Sequence, residues 1–241
     1  MHFRPTGFSA FAITIAGCAV MAVPSNQGFA QSADMLQKLE QIKAASAANK
    51  AALTHYTWQE QQTISLKGEV KKTAVYQVST SPDGQQQKTE ISASAAPPPS
   101  GGRFKQRIVA KKVDEFQQYG QQVAALAKQY TQPDPQLLQQ AYQKGNISLQ
   151  VGGGAGTVSM VIKNYLKPGD SMTLVFNTQD KAIEALNVSS YLNDPSDAVT
   201  MSVQFAKLPN GLNHVATTQI NGVSKQMTVA IQNSNYQPAQ M

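Results

Sequence analysis

The sequence predicts an α+β fold, in which a curved antiparallel β-sheet of meander topology carries one N-terminal helix and a mid-chain helical hairpin on its apolar face. Three observations predict it. Apolar residues recur at helical spacing up to residue 53 and at strand spacing from Tyr56 onward. Helical spacing returns between residues 113 and 144. Beyond residue 146, about seven period-two runs follow one another through turns too short for a crossover helix, so neighbouring strands must be antiparallel.

The chain has 241 residues, a net charge of +6, 41% hydrophobic and 14% charged residues, enough for one ordinary globular domain or two small ones. Its polarity comes from Gln, Ser, Thr and Asn, which argues against a disordered acidic or basic tail protein. The single cysteine, Cys18, precedes the folded region, excluding a disulfide framework, a CxxC redox centre and a thiolate zinc site.

Residues 1–30 read as a signal peptide. His2 and Arg4 precede an apolar stretch over residues 8–23, followed by Pro24, polar residues and Gly28-Phe29-Ala30. Cleavage after Ala30 leaves Gln31 as the first residue of a single β-rich domain, 31–241, in a periplasmic protein. A second reading stays open: Ile15-Ala16-Gly17-Cys18 resembles a lipobox, in which Cys18 is lipidated and becomes the N-terminus. No later segment approaches the ~20 apolar residues of a membrane span, so the mature chain is expected to carry no transmembrane segment.

The elements follow in order. Met35, Leu39, Ile42, Ala45 and Leu53 form one helical stripe over residues 34–53, with Ser32-Ala33-Asp34 placed to cap its start. Tyr56, Trp58, Ile64 and Leu66 share one strand parity, as do Ala74, Tyr76 and Val78. Ser81-Pro82-Asp83-Gly84 is a turn, leading to a strand over 85–92 and an Ala/Pro/Gly-rich flexible loop at 93–102. Val113, Phe116, Val123, Leu126 and Tyr130 mark the second helix, and Pro133-Asp134-Pro135 ends it. Asp134 then caps a short helix with Leu137, Leu138, Ala141 and Tyr142, closed by Gly145. In the meander, the turns are Lys167-Pro168-Gly169-Asp170, Asn193-Asp194-Pro195, Pro209-Asn210-Gly211 and Asn221-Gly222, the last being the strongest short hairpin signal. The apolar face of such a sheet needs a cover, and the helices are the available one, so the sheet curls around them.

After processing the net charge is +5, unevenly spread: residues 31–133 hold 13 basic and 8 acidic side chains, residues 134–241 six of each. The excess gathers at Arg103, Lys105, Arg107, Lys111 and Lys112, the first three alternating with Phe104, Gln106 and Ile108 as on one strand face. This basic strand, 103–112, reads as a solvated face or as a docking patch for an anionic headgroup or an acidic envelope partner. Nothing matches a nucleic-acid-binding motif.

No catalytic constellation emerges, and no cofactor or metal is implied. Gly152-Gly153-Gly154-Ala155-Gly156 lies between two strands, with no following helix and no Lys-Ser/Thr pair, and reads as a hairpin loop. His55 and His214 fall in unlike contexts, Ser171 lacks the GxSxG elbow, and Asp194 with Asp197 offers fewer oxygens than calcium takes. Met160, Met172, Met201 and Met227 fall on inward positions, as core filling or as the adaptable lining of a pocket.

Taken in order, a signal peptide, a helix, strands around Tyr56-Thr57-Trp58-Gln59-Glu60 and Leu66-Lys67-Gly68-Glu69, mid-chain helices and a terminal meander, the chain resembles the periplasmic lipoprotein-carrier superfamily of LolA, LolB and RseB-type envelope proteins. The resemblance implies an unclosed antiparallel barrel whose concave apolar face, lidded by helices, holds acyl chains. Two functions follow. One is an exported, non-enzymatic module binding a lipid or lipoprotein acyl chain through inward residues Trp58, Met172, Leu174, Phe176, Met201, Val203 and Phe205. The other is an interaction protein with a filled core, acting on an envelope protein partner through residues 103–112. A cavity of ~300 Å³ or more separates them.

Overall fold

The computed structural model describes residues 29–81, 85–95, 103–152 and 156–239. Among these, three helices, α1 (Phe29–Leu53), α2 (Arg103–Thr131) and α3 (Pro135–Gln143), accompany ten strands. The strands are β1 (Tyr56–Leu66), β2 (Glu69–Thr80), β3 (Gln86–Ala95), β4 (Ile147–Val151), β5 (Thr157–Lys163), β6 (Ser171–Asn177), β7 (Ala182–Tyr191), β8 (Ala198–Lys207), β9 (Asn213–Gly222) and β10 (Met227–Pro238). They form one unclosed sheet in the order β3-β2-β1-β10-β9-β8-β7-β6-β5-β4, every neighbouring pair antiparallel. The expected meander is β4 to β10, and its last strand pairs with the first strand of the chain, Ile64 opposite Val229.

Alternation decides which side is buried. Met172, Leu174 and Phe176 of β6 and Val199, Met201 and Val203 of β8 are buried, with exposed or half-buried neighbours between them. They share one core with Tyr119, Val123, Leu126 and Tyr130 of α2 and Leu138 of α3. The helical hairpin thus covers the centre of the sheet.

Local chemistry explains the connections. Asp134 caps α3 by accepting from the Gln136 N–H at 2.7 Å, and Pro135 supplies the first helical residue. Gly145, with φ +69, ends that helix while the Asn146 N–H returns to the Ala141 carbonyl. Gly169, with φ +82, occupies the third position of the Lys167-Pro168-Gly169-Asp170 turn, closed by a 3.2 Å bond from the Asp170 N–H to the Lys167 carbonyl. The Asp170 carboxylate, 2% exposed, accepts from the backbone N–H groups of Tyr165 (2.6 Å), Leu166 (2.9 Å) and Lys167 (3.0 Å) and from the Tyr130 hydroxyl (2.5 Å). That hydroxyl lies 2.8 Å from Ser190 Oγ, so one carboxylate ties a turn, α2 and β7 together. Burial, and then the bond to Asp170, raises the Tyr130 hydroxyl far above the usual tyrosine pKa.

Several expectations are corrected. Residues 103–112 are the first part of α2 and not a strand. A run of alternating charge is ambiguous over six residues, and here it is continuous with about five turns of helical signal from Val113 to Thr131, without a Gly or Pro to separate them. Arg103, Arg107 and Lys111 therefore follow helical i, i+4 spacing instead of strand parity. Helix α1 begins at Phe29, so Ser32-Ala33-Asp34 lies within it, in an Ala- and Gln-rich stretch where nothing breaks a helix. Strand β3 extends to Ala95, and the rest of the 93–102 loop, like residues 1–28 with Cys18 and most of the signal segment, lies outside the described residues. So does the centre of the turn at residues 82–84.

Asn221-Gly222 is the end of a strand and not a turn. Both residues are in the ladder, Asn221 opposite Thr228 and Gly222 opposite Met227, and the chain turns over residues 223–226, where Gln226 has φ +48. Gly222 is set by packing: a Cβ there would lie 2.5 Å from Tyr119 Oη and 2.6 Å from its Cε1. A strand glycine where another element approaches the backbone is the alternative to a turn glycine.

Candidate functional site

Where α2 and α3 end, the sheet and α1 border an open-sided cavity of ≈ 1150 Å³. The sequence makes this space in two ways. The half of α1 that faces it carries small side chains, Ala45, Ala48 and Ala52, which leave unfilled the space that larger side chains would occupy between helix and sheet. Its attachment is polar: Asn49 Nδ2 donates to the Asn213 carbonyl (2.5 Å) and Asn49 Oδ1 accepts from the Asn213 N–H (2.6 Å). Asn213 in turn donates through Nδ2 to the Ile183 carbonyl at 2.9 Å, fixing the latch to β7.

The sheet contributes irregularities. The register shifts between Thr57 and Gln59 against β10, between Val175 and Phe176 against β7, and between Gln204 and Phe205 against β9. Each leaves an extra residue on one strand, which bends the sheet and re-aims its side chains. All three occur at this end, and the side chains beside them, Trp58, Tyr236, Ile183, Phe205 and Val215, line the cavity.

Of the seven residues singled out on the apolar face, Trp58 and Phe205 border the cavity. Met172, Leu174, Phe176, Met201 and Val203 lie in the core beneath α2 and α3. Trp58, 6% exposed, forms a separate small cluster with Ala74, Tyr76 and Val78. It stacks on Tyr236 with ring centroids 5.4 Å apart, and Tyr236 meets the His214 ring at 4.2 Å. Burial, and then the Glu60 charge, raises the Tyr236 hydroxyl well above its ordinary pKa. In the basic segment, Lys111 and Lys112 are exposed.

One part of the wall went unanticipated. Glu60 and Gln62 share the strand parity of Trp58 and are buried with it. Glu60 is paired with Lys88 of β3, and Gln62 Nε2 donates to Glu60 Oε1 at 2.6 Å. Burial lowers the Lys88 pKa, opposed by the carboxylate beside it. Parity alone could have revealed these residues, since Trp58, Glu60 and Gln62 are spaced i, i+2, i+4. Removing one partner of such a pair strands the other, so Lys88→Met is expected to cost about 2–3 kcal/mol in urea unfolding, below the full buried-pair penalty because Lys88 keeps some exposure.

Three further polar atoms of the wall, Trp58 Nε1, Gln86 Oε1 and Asn233 Oδ1, are buried without a hydrogen-bond partner among the described residues. Each such atom costs about 1–3 kcal/mol. The cavity mouth is basic, with Lys128, Lys181 and Lys207 against Asp180, which pairs with Lys207 at 2.9 Å.

Among the described residues, no three His, Cys, Asp or Glu side chains converge as a metal site would need, and no helix is long and apolar enough to cross a membrane. His214 lies in the cavity wall, whereas His55 is exposed just beyond α1. Asp194 caps its own loop, accepting from the Ser196 N–H at 2.9 Å, and Asp197 Oδ1 accepts from the Tyr119 hydroxyl at 2.9 Å. The geometry is that of a cavity with an apolar side and a polar side, covered by α1 through the Asn49–Asn213 latch.

No family model and no curated protein matches the sequence. Among solved structures, the chain is similar to a DUF1329 family protein from Desulfovibrio piger, with a TM-score of 0.36 and 8% identity over 84% of this chain and 92% of that one. It is also similar to a LolA superfamily protein from Nitrosomonas europaea, with a TM-score of 0.39 and 9% identity over 86% of this chain and 94% of that one.

Proposed function

We propose that this protein is an exported, non-enzymatic carrier that holds the acyl chain of a lipid or lipoprotein in the cavity between α1 and the sheet. The observation that carries the reading is the cavity itself, ≈ 1150 Å³ beside a continuous core of buried apolar side chains. A protein acting only through its surface has no need of such a space, and ligand sites span about 300–1,000 Å³. Burying a C14 to C16 chain contributes ~0.8 kcal/mol per CH₂ before ordering costs, enough for micromolar affinity from a partly apolar wall. Export is supported by the N-terminal sequence, with its basic start, apolar run and small residues before Gln31.

The test is native mass spectrometry of protein purified from its own envelope fraction, followed by lipid extraction and titration with a C14 fatty-acid probe. A co-purifying lipid and micromolar probe binding are expected. Phe205→Gln, which puts an amide on the cavity wall, should weaken binding about tenfold, the cost of one poorly placed polar group. Gln204→Ala, on the exposed opposite face, should leave it unchanged. Absence of both lipid and probe binding would overturn the carrier reading and leave an interaction protein that acts through its surface.

A further inference from the structure

The cavity is not uniformly apolar, and its asymmetry carries information about the ligand. Ile183, Phe205 and Val215 lie on the β7–β9 side, whereas the β1, β3 and β10 side presents Glu60, Lys88, Gln86 and Asn233. An acyl chain has no use for the second side. The ion pair there satisfies itself with the help of Gln62, but Trp58 Nε1, Gln86 Oε1 and Asn233 Oδ1 do not. Three unpaired atoms in one wall of one cavity are far from the normal state of buried polar groups, nearly all of which are hydrogen-bonded.

Their chemistry is specific. The indole offers a donor, and the two amide oxygens require donors. The orientation of Asn233 is set by its other end, because Nδ2 donates to the Val215 carbonyl at 3.0 Å and a flipped amide would oppose two oxygens there. A bare carboxylate or phosphate can accept from Trp58 but has nothing to give Asn233. A hydroxyl or an amide N–H can do both. All three residues line the cavity with these atoms buried, so a ligand pairs with them only when the side chains turn; Gln86 sits on the edge strand β3, where rotation costs little backbone contact.

We propose that the β1–β3–β10 wall is a headgroup subsite for an uncharged amphiphile bearing hydrogen-bond donors, a hydroxyl or an amide, which pairs with Trp58 Nε1, Gln86 Oε1 and Asn233 Oδ1. This rests on the carrier reading and deepens it. The carrier then selects by headgroup as well as by chain, discriminating in favour of donor-bearing heads because a ligand without donors leaves the amide oxygens unpaired.

The experiment titrates the full mature chain with four C14 probes at about pH 8, where a fatty acid is ionised: 1-monomyristoylglycerol, myristamide, methyl myristate and myristate. The glyceride and the amide are expected to bind about tenfold more tightly than the methyl ester, as one or two net hydrogen bonds imply. That ratio is expected to fall to about threefold or less in Gln86→Leu and in Trp58→Phe, whatever happens to the absolute affinities. Gln86→Leu lies on an edge strand and provides the reading if Trp58→Phe fails to fold. Equal binding of glyceride and methyl ester overturns the subsite and leaves the carrier intact. Tightest binding of myristate overturns it too, and assigns the preference to the lysines at the mouth. A ratio that survives both substitutions removes these atoms from the site. If none of the four binds at micromolar concentration, the carrier reading itself falls, and the subsite with it.

Discussion

Asp170→Ala is expected to lower the unfolding free energy by about 4 kcal/mol, since it removes four hydrogen bonds to a buried charge and strands their donors. The donors are the Tyr165, Leu166 and Lys167 N–H groups and the Tyr130 hydroxyl. A bond to a charged group contributes about 1.5–3 kcal/mol, and the sum is reduced because the turn can partly open to water. Tyr130→Phe removes one of the four and should cost about 1–2 kcal/mol. Urea unfolding of the two variants checks both values. A loss below about 1 kcal/mol for Asp170→Ala would show that the turn, and not the carboxylate, holds α2 to the sheet.

Gly222→Ala is expected to cost about 3 kcal/mol, an overpacking effect, because the added methyl carbon would sit 2.5 Å from Tyr119 Oη. Tyr119 cannot yield freely: it is 5% exposed and its hydroxyl donates to Asp197. The cost should drop below about 1 kcal/mol in a Tyr119→Ala background, a coupling that a double-mutant cycle measures directly. If the cost of Gly222→Ala is the same in both backgrounds, its cause is backbone freedom in β9 and not the tyrosine.

These two sites also show what a sequence discloses. The Lys167-Pro168-Gly169-Asp170 turn and the Asp134 cap were legible because each depends on local backbone chemistry: Gly169 takes the positive φ that its position demands, and Asp134 reaches an N–H two residues away. The inward parity of β6 and β8 was legible for the same reason. The role of Gly222 was not, because the atom that excludes a side chain there comes from Tyr119, about a hundred residues earlier. Asn221-Gly222 carries a turn's residues for another reason.

The candidate site was legible in the aromatic residues and obscure in its polar half. Trp58 and Phe205 were marked by apolar alternation, which selects apolar residues and passes over Glu60 and Gln62 on the same face. Nor does parity say which part of an inward face a helix covers. Met172 and Phe205 are alike in pattern, yet one lies beneath α2 and the other borders the cavity, a difference made by where the hairpin ends and where β9 carries its extra residue. The basic run at 103–112 misled because its alternation is real but shorter than the helix containing it.

The pairing of β1 with β10 sets a schedule for assembly. Strands β1 to β3 form local hairpins among themselves, but β1 is joined to the meander through residues 227–238, at the far end of the chain. Joining them closes a loop of more than 150 residues, whose entropy must be met before the contacts reward it. A chain emerging N-terminus first has already released Trp58 and Glu60 when the strand that completes their sheet has not yet appeared, so the cavity is necessarily the last part of the molecule to form. Loss of the final dozen residues would leave β1 to β3 without a neighbour on one side, and the cavity without Ile231, Asn233 and Tyr236. The cavity therefore reports on a completed β10: a product truncated before it keeps most of the core beneath α2 and α3 but lacks that wall.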